Sequence, residues 1–395
     1  MLLGGISYLL PVIKAAHRLG YHVITCDYLP GNIAHRYSDE YHNISIVDKE
    51  AILKLARQRH IDGIMSFAVD PGVLTAAYVQ EQMGLPGNPY DSVAILQNKD
   101  RFRAFLHRHG FNTPWAKSYA SIDEALKDIP NLTWPAIVKP TDSAGSKGVT
   151  RVNTPAELAP ALRQAVQHSL SGRIIIEEYI EKQGYTTGSD SFSIDGTLRF
   201  TSFDDQHFDP LSPNPYTPSA HSWPSTMPTG HQQELARELQ RLLTLLHMRT
   251  SLYNIEARIG TNGKPYIMEV SPRGGGNRLS EVLCLATGVD LITNAVRAAV
   301  GDPVEGVEQK PVRGHWAIIM LHAERDGIYR GIRYSEALRR CIVQEALLVH
   351  PGDKVRAFRG ANDAIGHLIL HADTREELLP YLSSSSSSSL SLIFD

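Results

Sequence analysis

The chain has 395 residues, of which 42% are hydrophobic and 21% charged, and its 39 lysines and arginines against 42 aspartates and glutamates give a net charge of −3. This composition excludes wholesale disorder, and the length predicts two or three globular domains. Because a nucleic-acid-binding protein usually carries a basic excess, the charge balance argues against a nucleic-acid partner.

Cysteine usage and hydropathy indicate the compartment. The three cysteines, Cys26, Cys284 and Cys341, are scattered with no paired spacing, so we expect free thiols in a reducing cytosol. No apolar run approaches the roughly 18 residues that a membrane helix needs. The first residues lack the basic segment of a signal peptide. We therefore expect a cytoplasmic protein with no membrane partner.

The first 95 residues alternate predicted strands and helices. The strands are expected at 2–3, 22–27 and 63–67, and the helices at 9–19, 49–59 and 73–83. This alternation predicts a doubly wound parallel sheet. Gly4 and Gly5 after the first strand, with Asp27 ending the second, resemble part of a dinucleotide fingerprint. The fingerprint is incomplete, and a lone glycine pair is more often a tight turn.

The next segment predicts a phosphate-binding loop. A strand over 136–139 ends in Lys139, and the loop 142–148 that follows is rich in glycine and serine and carries Lys147. Backbone N–H groups in such a loop can surround phosphate oxygens while the two ammonium groups neutralise them. Further elements are expected in this order: helices 98–109 and 122–128, strand 149–152, helix 155–168 and strand 173–180.

A hairpin predicted later in the chain brings two carboxylates together. Strands over 252–259 and 265–270 flank the turn 260–263, so pairing would place Glu256 beside Glu269. Two adjacent carboxylates repel one another unless a cation lies between them, and Mg²⁺ bound to nucleotide phosphates is the natural choice.

Residues 204–230 are rich in proline, serine and asparagine, with Trp223, His207, His221 and His231 embedded among them. A loop of this length inside a domain is usually a lid, a substrate loop or disordered. The helix expected over 232–247 has its leucines at helical spacing, which predicts a core helix. Beyond residue 300 we expect a further α/β segment, followed by a flexible serine-rich tail.

Taken together, these motifs resemble the ATP-grasp superfamily of carboxylate–amine ligases. The resemblance rests on the order and spacing of Lys99, Lys139, the 142–148 loop, the run Glu177–Ile180, Glu256 and the run Glu269–Arg273. It implies an α/β fold, with an α+β ATP clamp, in five parts. These are a Rossmann-like pre-ATP-grasp domain (1–95), a small lid subdomain (96–180), a large subdomain with the metal site (181–300), a C-terminal lobe (301–382) and the tail (383–395).

The resemblance also implies roles for individual residues around ATP. Lys99 and Lys139 would contact the α- and β-phosphates. The loop residues expected to close over the β- and γ-phosphates are Ser143, Gly145, Ser146 and Gly148. The segment expected at adenine is Glu177, Glu178, Tyr179 and Ile180, with Glu181 as a substitute for the usual ribose-binding glutamate, because 184–187 is Gly-Tyr-Thr-Thr.

The same likeness implies a metal site and a substrate site. Mg²⁺, or Mn²⁺ in its place, would be held by Glu256, Glu269 and Ser271, where asparagine is the commoner third residue. Arg273 and Lys139 would be catalytic. The substrate residues would be His207, Arg258, Arg273, Gly275, Gly276, Asn277 and Arg278, with Trp223 or Tyr216 as a pocket wall.

The predicted reaction converts ATP, a carboxylic acid and an amine into an amide, ADP and phosphate through an acyl phosphate. The expected partners are small-molecule carboxylates and amines, and a homodimer is compatible with the sequence. Two alternatives stay open. One is a purine-pathway ligase resembling formate-dependent glycinamide ribonucleotide transformylase. The other is a nucleotide-binding protein without turnover.

Overall fold

The fold is built on four sheets, two of them large enough to shape a cleft between them. The structure is a computed structural model, and it describes residues 1–143, 145–360, 363–382 and 389–395. Ala144 of the predicted phosphate loop and residues 383–388 of the predicted tail therefore lie outside the described residues. Short 3-10 helices occur at Ser7–Leu9, Ile33–Arg36, Ile129–Asn131, Pro155–Glu157 and Leu379–Tyr381.

The N-terminal region forms a parallel sheet in the order β3-β2-β1-β4, as predicted. The edge strand β3 was not predicted, because its residues are polar and only half-buried. The strands are β1 (Leu2–Leu3), β2 (Ile24–Cys26), β3 (Glu40–His42) and β4 (Met65–Ser66). The helices are α1 (Leu10–Arg18), α2 (Lys49–Arg59), α3 (Asp70–Met83) and α4 (Tyr90–Gln97).

A second, antiparallel sheet follows in the order β5-β8-β6-β7. Its apolar face packs on α7, where Leu158, Ala161, Leu162 and Ala165 recur at helical spacing. The strands are β5 (Ala116–Tyr119), β6 (Ala136–Pro140), β7 (Thr150–Val152) and β8 (Ile174–Glu178). The helices are α5 (Lys99–Arg108), α6 (Ile122–Lys127) and α7 (Leu158–Gln167).

The largest sheet has nine strands and runs from the predicted metal hairpin into the C-terminal lobe. Its order is β14-β13-β9-β11-β12-β15-β19-β17, with β10 paired to β9. The strands before residue 300 are β9 (Lys182–Ile194), β10 (Thr197–Phe200), β11 (Asp205–Phe208), β12 (Pro218–Trp223), β13 (Ser251–Gly260) and β14 (Pro265–Ser271). The helices are α8 (Thr229–Leu245), α9 (Leu279–Thr287) and α10 (Leu291–Val300).

The prediction of an irregular loop over 204–230 is wrong, because β11 and β12 pair with each other in the middle of this sheet. Polar residues mask these strands in the sequence, yet His207, His221 and Trp223 are buried. The Trp223 ring lies in the main apolar core with Phe192 and Leu252. The suggestion that it walls a substrate pocket is therefore also wrong.

The C-terminal lobe continues the large sheet and adds a small one in the order β18-β16-β20. The tail prediction is wrong for β20, which pairs with β16. The strands are β15 (His315–Leu321), β16 (Gly327–Tyr334), β17 (Ile342–Leu347), β18 (Lys354–Val355), β19 (Gly366–Ala372) and β20 (Leu390–Phe394). The helices are α11 (Glu336–Cys341) and α12 (Arg375–Leu378).

One apolar core joins the N-terminal region to the large sheet. Val12 and Ile13 of α1 pack in the same cluster as Val282 of α9, Ile292 of α10 and Ile318 of β15. The three cysteines are free thiols, as predicted. Within the described ranges, no single helix is long and apolar enough to cross a membrane, although α9 and α10, joined at a bend of 114°, pass that test together by length and composition.

Candidate functional site

A cleft of about 350 Å³ lies between the small β5–β8 sheet and the large sheet. We call it the inter-lobe cleft. It brings Lys99 and Lys139 from one side together with Glu256 and Glu269 from the other. Other residues lining it are Ser143, Gly145, Ser146, Lys147, Glu177, Glu178, Tyr179, Ile180, Lys182, Gln206, Tyr216 and Arg258.

Lys139 is held at the cleft by a buried ion-pair group. Its Nζ lies 2.6 Å from an oxygen of Glu177, and the other oxygen of Glu177 lies 2.9 Å from Nε of Arg103. Burial opposes ionisation of Glu177, but Arg103 and Lys139 outweigh it and lower the pKa of this carboxyl to about 2. Burial lowers the pKa of Lys139, although Glu177 counteracts the shift. The Glu177 side chain thus contacts Lys139 and Arg103, where the sequence predicted an adenine contact.

Lys99 is positioned by the start of helix α5. Asn98 caps this helix by accepting a hydrogen bond from the N–H of Arg101 at 3.0 Å. The Nζ of Lys99 donates to the carbonyl of Ser143 at 2.8 Å. The lysine is therefore tethered to the first residues of the glycine-rich loop.

The glycine-rich loop adopts backbone conformations that glycine favours. Gly145 and Gly148 have φ values of +68° and +72°, and Ser146 between them has +57°. The Ser146 hydroxyl donates to the carbonyl of Tyr216 at 3.0 Å. At the start of the loop, Asp142 accepts hydrogen bonds from the N–H groups of residues 170 and 171. Across the cleft, the amide of Asn214 also donates to the carbonyl of Ser146 at 3.3 Å.

The strand end predicted at adenine lines the cleft through Glu178, Tyr179 and Ile180. The Tyr179 ring lies 4.1 Å from the guanidinium of Arg151. Glu181, the predicted ribose residue, instead pairs with Arg151 at 3.1 Å and is half-exposed. Lys182, the next residue, lines the cleft.

The β13–β14 register places Glu256 directly opposite Glu269, as the hairpin predicts. Arg258 lies 3.5 Å from a Glu256 oxygen and donates toward the carbonyl of Ile180. Across the described part of the chain, no three or more His, Cys, Asp or Glu side chains converge as a metal site. The carboxylate pair would therefore need oxygen ligands from a bound phosphate or water to complete a magnesium sphere.

Ser271 lines a cavity together with Glu256 and Glu269, but other side chains engage its hydroxyl. Its hydroxyl donates to Asp70 at 2.8 Å and accepts from Gln97 at 3.0 Å. Both its donor and an acceptor position are thus engaged within the protein.

A second cavity of about 520 Å³ lies where the N-terminal region meets the large sheet. We call it the junction cavity. It shares Ser143, Lys147, Gln206, Glu256 and Glu269 with the inter-lobe cleft, so the two spaces are continuous. Its other lining residues include Tyr8, Asp70, His221, Asn254, Arg273, Gly276 and Asn277.

Arg273 is fixed in the junction cavity by Asp70, a residue that sequence reasoning missed. The guanidinium donates from Nε to Oδ1 at 2.9 Å and from a terminal nitrogen to Oδ2 at 2.6 Å. Burial raises the pKa of Asp70, but Arg273 outweighs this and the net shift is downward. The available signal was a carboxylate just after the third predicted parallel strand, at the sheet edge where ligands commonly bind.

The glycine run after Arg273 is held by Asp190, a second missed residue. Asp190 accepts hydrogen bonds from the Gly275 N–H at 3.0 Å and from Asn254 at 3.0 Å. A side chain at Gly274 would collide with Phe67, since an added Cβ would lie 2.1 Å from that ring.

The last two residues of this run, Asn277 and Arg278, have different surroundings. Asn277 accepts a hydrogen bond from the Tyr8 hydroxyl at 3.1 Å, while Arg278 pairs with Glu281 at 2.9 Å and donates to Gln344. Of the predicted substrate residues in the run, only Gly276 and Asn277 line the junction cavity.

His207 lines neither cavity. Its Nε2 lies 2.9 Å from the Ser222 hydroxyl, and burial lowers the pKa of this histidine to about 4. Its neighbours on the same hairpin, Gln206 and His221, line the junction cavity instead.

The geometry is matched by two family comparisons. Residues 132–281 match the model of the ATP-grasp domain. This chain contains an ATP-grasp domain. Residues 319–385 match a second model, the L-amino acid ligase C-terminal domain 2. The resemblance predicted from the sequence is confirmed.

Curated relatives match only part of this chain. A formate-dependent phosphoribosylglycinamide formyltransferase of Synechococcus sp. (strain WH7803) is 31% identical over 173 residues, 43% of this chain and 44% of that protein. A carbamoyl phosphate synthase large chain of Thermoanaerobacter sp. (strain X514) is 26% identical over 243 residues, 60% of this chain and 22% of that protein. The chain thus spans less than half of the length of these relatives.

Solved structures confirm the predicted fold class over the whole chain. The L-amino acid ligase from Bacillus licheniformis aligns with a TM-score of 0.82 and 20% identity, covering 100% of this chain and 98% of that one. Phosphoribosylglycinamide synthetase from Anaerococcus prevotii aligns with a TM-score of 0.76 and 20% identity, with the same coverage. At this identity the likeness concerns the fold.

Proposed function

We propose that the protein is an ATP-dependent ligase that joins a carboxylate to an amine through an acyl phosphate. The observation that carries the proposal is the inter-lobe cleft, in which Lys99 and Lys139 face the paired Glu256 and Glu269. This cleft is continuous with the cavity that holds Arg273. Cations, loop amides and paired carboxylates in one cleft suit a nucleotide triphosphate, and the adjoining cavity suits its acceptor.

In this proposal, the side chains that face the cleft bind ATP. Lys99 and Lys139 contact phosphate oxygens, and the described loop residues 142–143 and 145–148 cover the terminal phosphates with backbone N–H groups. Tyr179 and Ile180 border the base. Lys182 is a better placed candidate than Glu181 for contact near the ribose, because Lys182 lines the cleft.

Glu256 and Glu269 fit a hard divalent cation, because oxygen donors are what Mg²⁺ prefers and their strand register fixes them side by side. A bound Mg²⁺ would neutralise phosphate charge. We leave Ser271 out of the proposed ligand set, since Asp70 and Gln97 occupy its hydroxyl.

The chain supplies positioning and charge for phosphoryl transfer. A carboxylate is a poor electrophile, so its oxygen first takes the γ-phosphoryl group, and the C–O–P linkage then makes phosphate the leaving group. Lys139 and Arg273 face the regions where negative charge accumulates. The amine nitrogen next attacks the acyl carbon, the C–N bond forms, and phosphate departs with the electrons of the C–O bond.

We favour an amino acid as the substrate that accepts the phosphoryl group from ATP. The match of residues 319–385 to an L-amino acid ligase C-terminal domain supports this choice. The second candidate is a purine-pathway ligase, which the 31% identity to a formate-dependent formyltransferase favours.

Coupled measurement of ADP release tests the proposal. The purified chain is incubated with ATP and Mg²⁺, together with either pooled L-amino acids or formate plus glycinamide ribonucleotide, and products are identified by mass spectrometry. We expect an amide product and stoichiometric ADP in the amino-acid arm. Product only in the formate arm would establish the second candidate. ATP binding with no ADP release under any pool would leave a nucleotide-binding protein and overturn the ligase proposal.

Three finer predictions belong to this proposal. Mn²⁺ should replace Mg²⁺ in supporting ADP release, because both cations accept carboxylate and phosphate oxygens. A homodimer is expected in solution, measured by sedimentation. A cytoplasmic location, expected from the unpaired cysteines, is checked by fractionation of cells that produce the protein.

A further inference from the structure

Two buried acceptor atoms of residues that line the junction cavity have no hydrogen-bond partner among the residues that the structure describes. They are Nε2 of His221 and Oε1 of Gln206, each with less than 1 Å² of accessible surface. It is the two residues as a whole that line the cavity, and both are more than nine-tenths buried. Leaving a buried polar atom unpaired costs about 1–3 kcal/mol, so each such atom requires an explanation.

Strand pairing places these two side chains next to each other. Gln206 of β11 is directly opposite His221 of β12. Directly opposed residues in an antiparallel pair have Cβ atoms about 4.5–5.5 Å apart. The two side chains therefore share one patch of the cavity wall.

The carboxylate of Asp204 determines which ring nitrogen of His221 carries the proton. Oδ2 of Asp204 lies 2.6 Å from Nδ1 of His221, and both residues are fully buried. Oδ1 of Asp204 accepts from the N–H of Gly188. Because a carboxylate only accepts, Nδ1 carries the proton, and in the neutral ring Nε2 keeps an unpaired lone pair. This is the arrangement of an oriented general base.

We propose that His221 is the general base for the amine nucleophile, that Gln206 is the second acceptor holding this amine, and that Asp204 is the positioning residue. The inference rests on the ligase function proposed above and gives its second step a proton acceptor. As the amine nitrogen bonds to the acyl carbon, one N–H proton moves to Nε2 of His221. The bond to phosphate breaks, and the phosphate carries away that electron pair.

The location of the patch fits this chemistry. The junction cavity that His221 faces also contains Arg273 and borders Glu256 and Glu269, where the acyl phosphate would form. An ammonium group offers only N–H donors, and the two unpaired atoms of the patch, Nε2 of His221 and Oε1 of Gln206, are acceptors. A second carboxylate or a phosphate would be repelled by the same two lone pairs.

The test compares two nucleophiles that differ in their need for a base. Hydroxylamine is largely unprotonated at neutral pH and traps acyl phosphates without help, whereas an α-amino group must lose a proton. The carboxylate source is a mixture of L-amino acids, and hydroxamate and amide products are measured separately. In His221→Asn we expect amide formation to fall at least a hundredfold, while hydroxamate formation stays within threefold of wild type.

Asparagine is chosen because its amide can still donate to Asp204, so the buried carboxylate keeps a partner. Asp204→Asn should show the same split between products, since the ring loses its orientation. Gln206→Met should raise the KM for the amine about tenfold with little change in kcat. The matched control is His207→Gln on the same hairpin, which should retain both products because His207 lines neither cavity.

The possible outcomes distinguish failure of the base assignment from failure of the proposed ligase function. Equal losses of amide and hydroxamate in His221→Asn would mean that the histidine stabilises the oxyanion or the fold, and would overturn the base assignment alone. Unchanged amide formation would overturn it as well. No product from the wild-type protein with either nucleophile would overturn the proposed function and, with it, this inference.

Discussion

Substitution of Glu269 is the most specific test of the proposed metal site. Glu269→Gln keeps the size of the side chain but removes one negative charge opposite Glu256. We expect turnover to fall at least a hundredfold, about 2.7 kcal/mol in barrier, and calorimetric Mg²⁺ binding in the presence of ADP to weaken. Glu256→Gln should behave similarly but less severely if water replaces the lost oxygen.

The matched control is Glu234→Gln on the exposed side of α8, which should leave both quantities unchanged. Full activity and unaltered metal binding in Glu269→Gln would show that the carboxylate pair does not hold the cation.

Asp70 links the N-terminal region to the site through Arg273. In Asp70→Asn the guanidinium loses a bidentate partner that is almost wholly buried with it. We expect the free energy of unfolding in urea to drop by about 3 kcal/mol. Nucleotide binding should persist, because Asp70 does not line the inter-lobe cleft. The exposed Asp62→Asn in the same region serves as control, and equal stabilities of the two variants would contradict the assignment.

The ionised carboxylate of Glu177 should make the free energy of unfolding depend on pH in the acidic range. Its pKa of about 2 in the folded protein is below the ordinary value of 4.5. The ionised carboxylate therefore stabilises the fold fully above about pH 4.5, and this contribution is lost as the pH falls toward 2. In Glu177→Gln, the stability deficit relative to wild type should be largest near neutral pH and shrink on acidification. Urea titrations at pH 7, 5 and 3 measure it, and a deficit independent of pH would refute it.

The sequence identified the residues that face the cleft better than those that hold them. Lys99, Lys139, Glu256 and Glu269 are predictable because each lies at a defined place in a strand, helix or hairpin pattern. Asp70 and Asp190 are not, because their partners, Arg273 and Gly275, are distant in sequence and meet them only through tertiary packing.

At the scale of elements, the glycine-rich loop should respond to nucleotide. Its described residues are joined across the cleft by the bonds of Ser146 with Tyr216 and Asn214. With ATP and Mg²⁺ present, we expect trypsin to cleave after Lys147 at least tenfold more slowly, since phosphate contacts exist only when the loop is closed. Peptide mass spectrometry measures the rates. Cleavage after the exposed Arg313, which does not line the cleft, is the internal control, and equal slowing at both sites would refute loop closure.

The hairpin formed by β11 and β12 shows why hydrophobic periodicity did not reveal strands between residues 204 and 230. The face of β12 that carries His221 meets the junction cavity and, at Trp223, the main apolar core, while Ala220 on its other face packs in the core of the C-terminal lobe. The strands of the hairpin therefore carry buried polar residues such as Gln206 and His221 in place of an apolar alternation. Strands that line a binding cavity carry polar residues at buried positions, so they lack the alternation of apolar and polar residues by which other strands are predicted.

At the scale of the whole molecule, the C-terminal lobe is built into the same large sheet as the β13–β14 hairpin. Strand β15 pairs with β12 on one side and β19 on the other, and Trp316 and Ile318 belong to the same core as α1 and α9. A chain ending at residue 314 would expose the edge of β12 and this core. Exposed strand edges and apolar patches promote aggregation.

We therefore expect that truncated chain to be insoluble or to lose cooperative unfolding, whereas the full chain should show a single calorimetric transition for the large sheet. The matched control is a chain ending at residue 382, which loses only β20 at the edge of a three-stranded sheet. That variant should stay folded and bind ATP, because none of the described residues beyond 382, which are 389–395, lines the inter-lobe cleft. A soluble, ATP-binding chain ending at 314 would show instead that the lobe is an independent module added to a complete ATP-grasp unit.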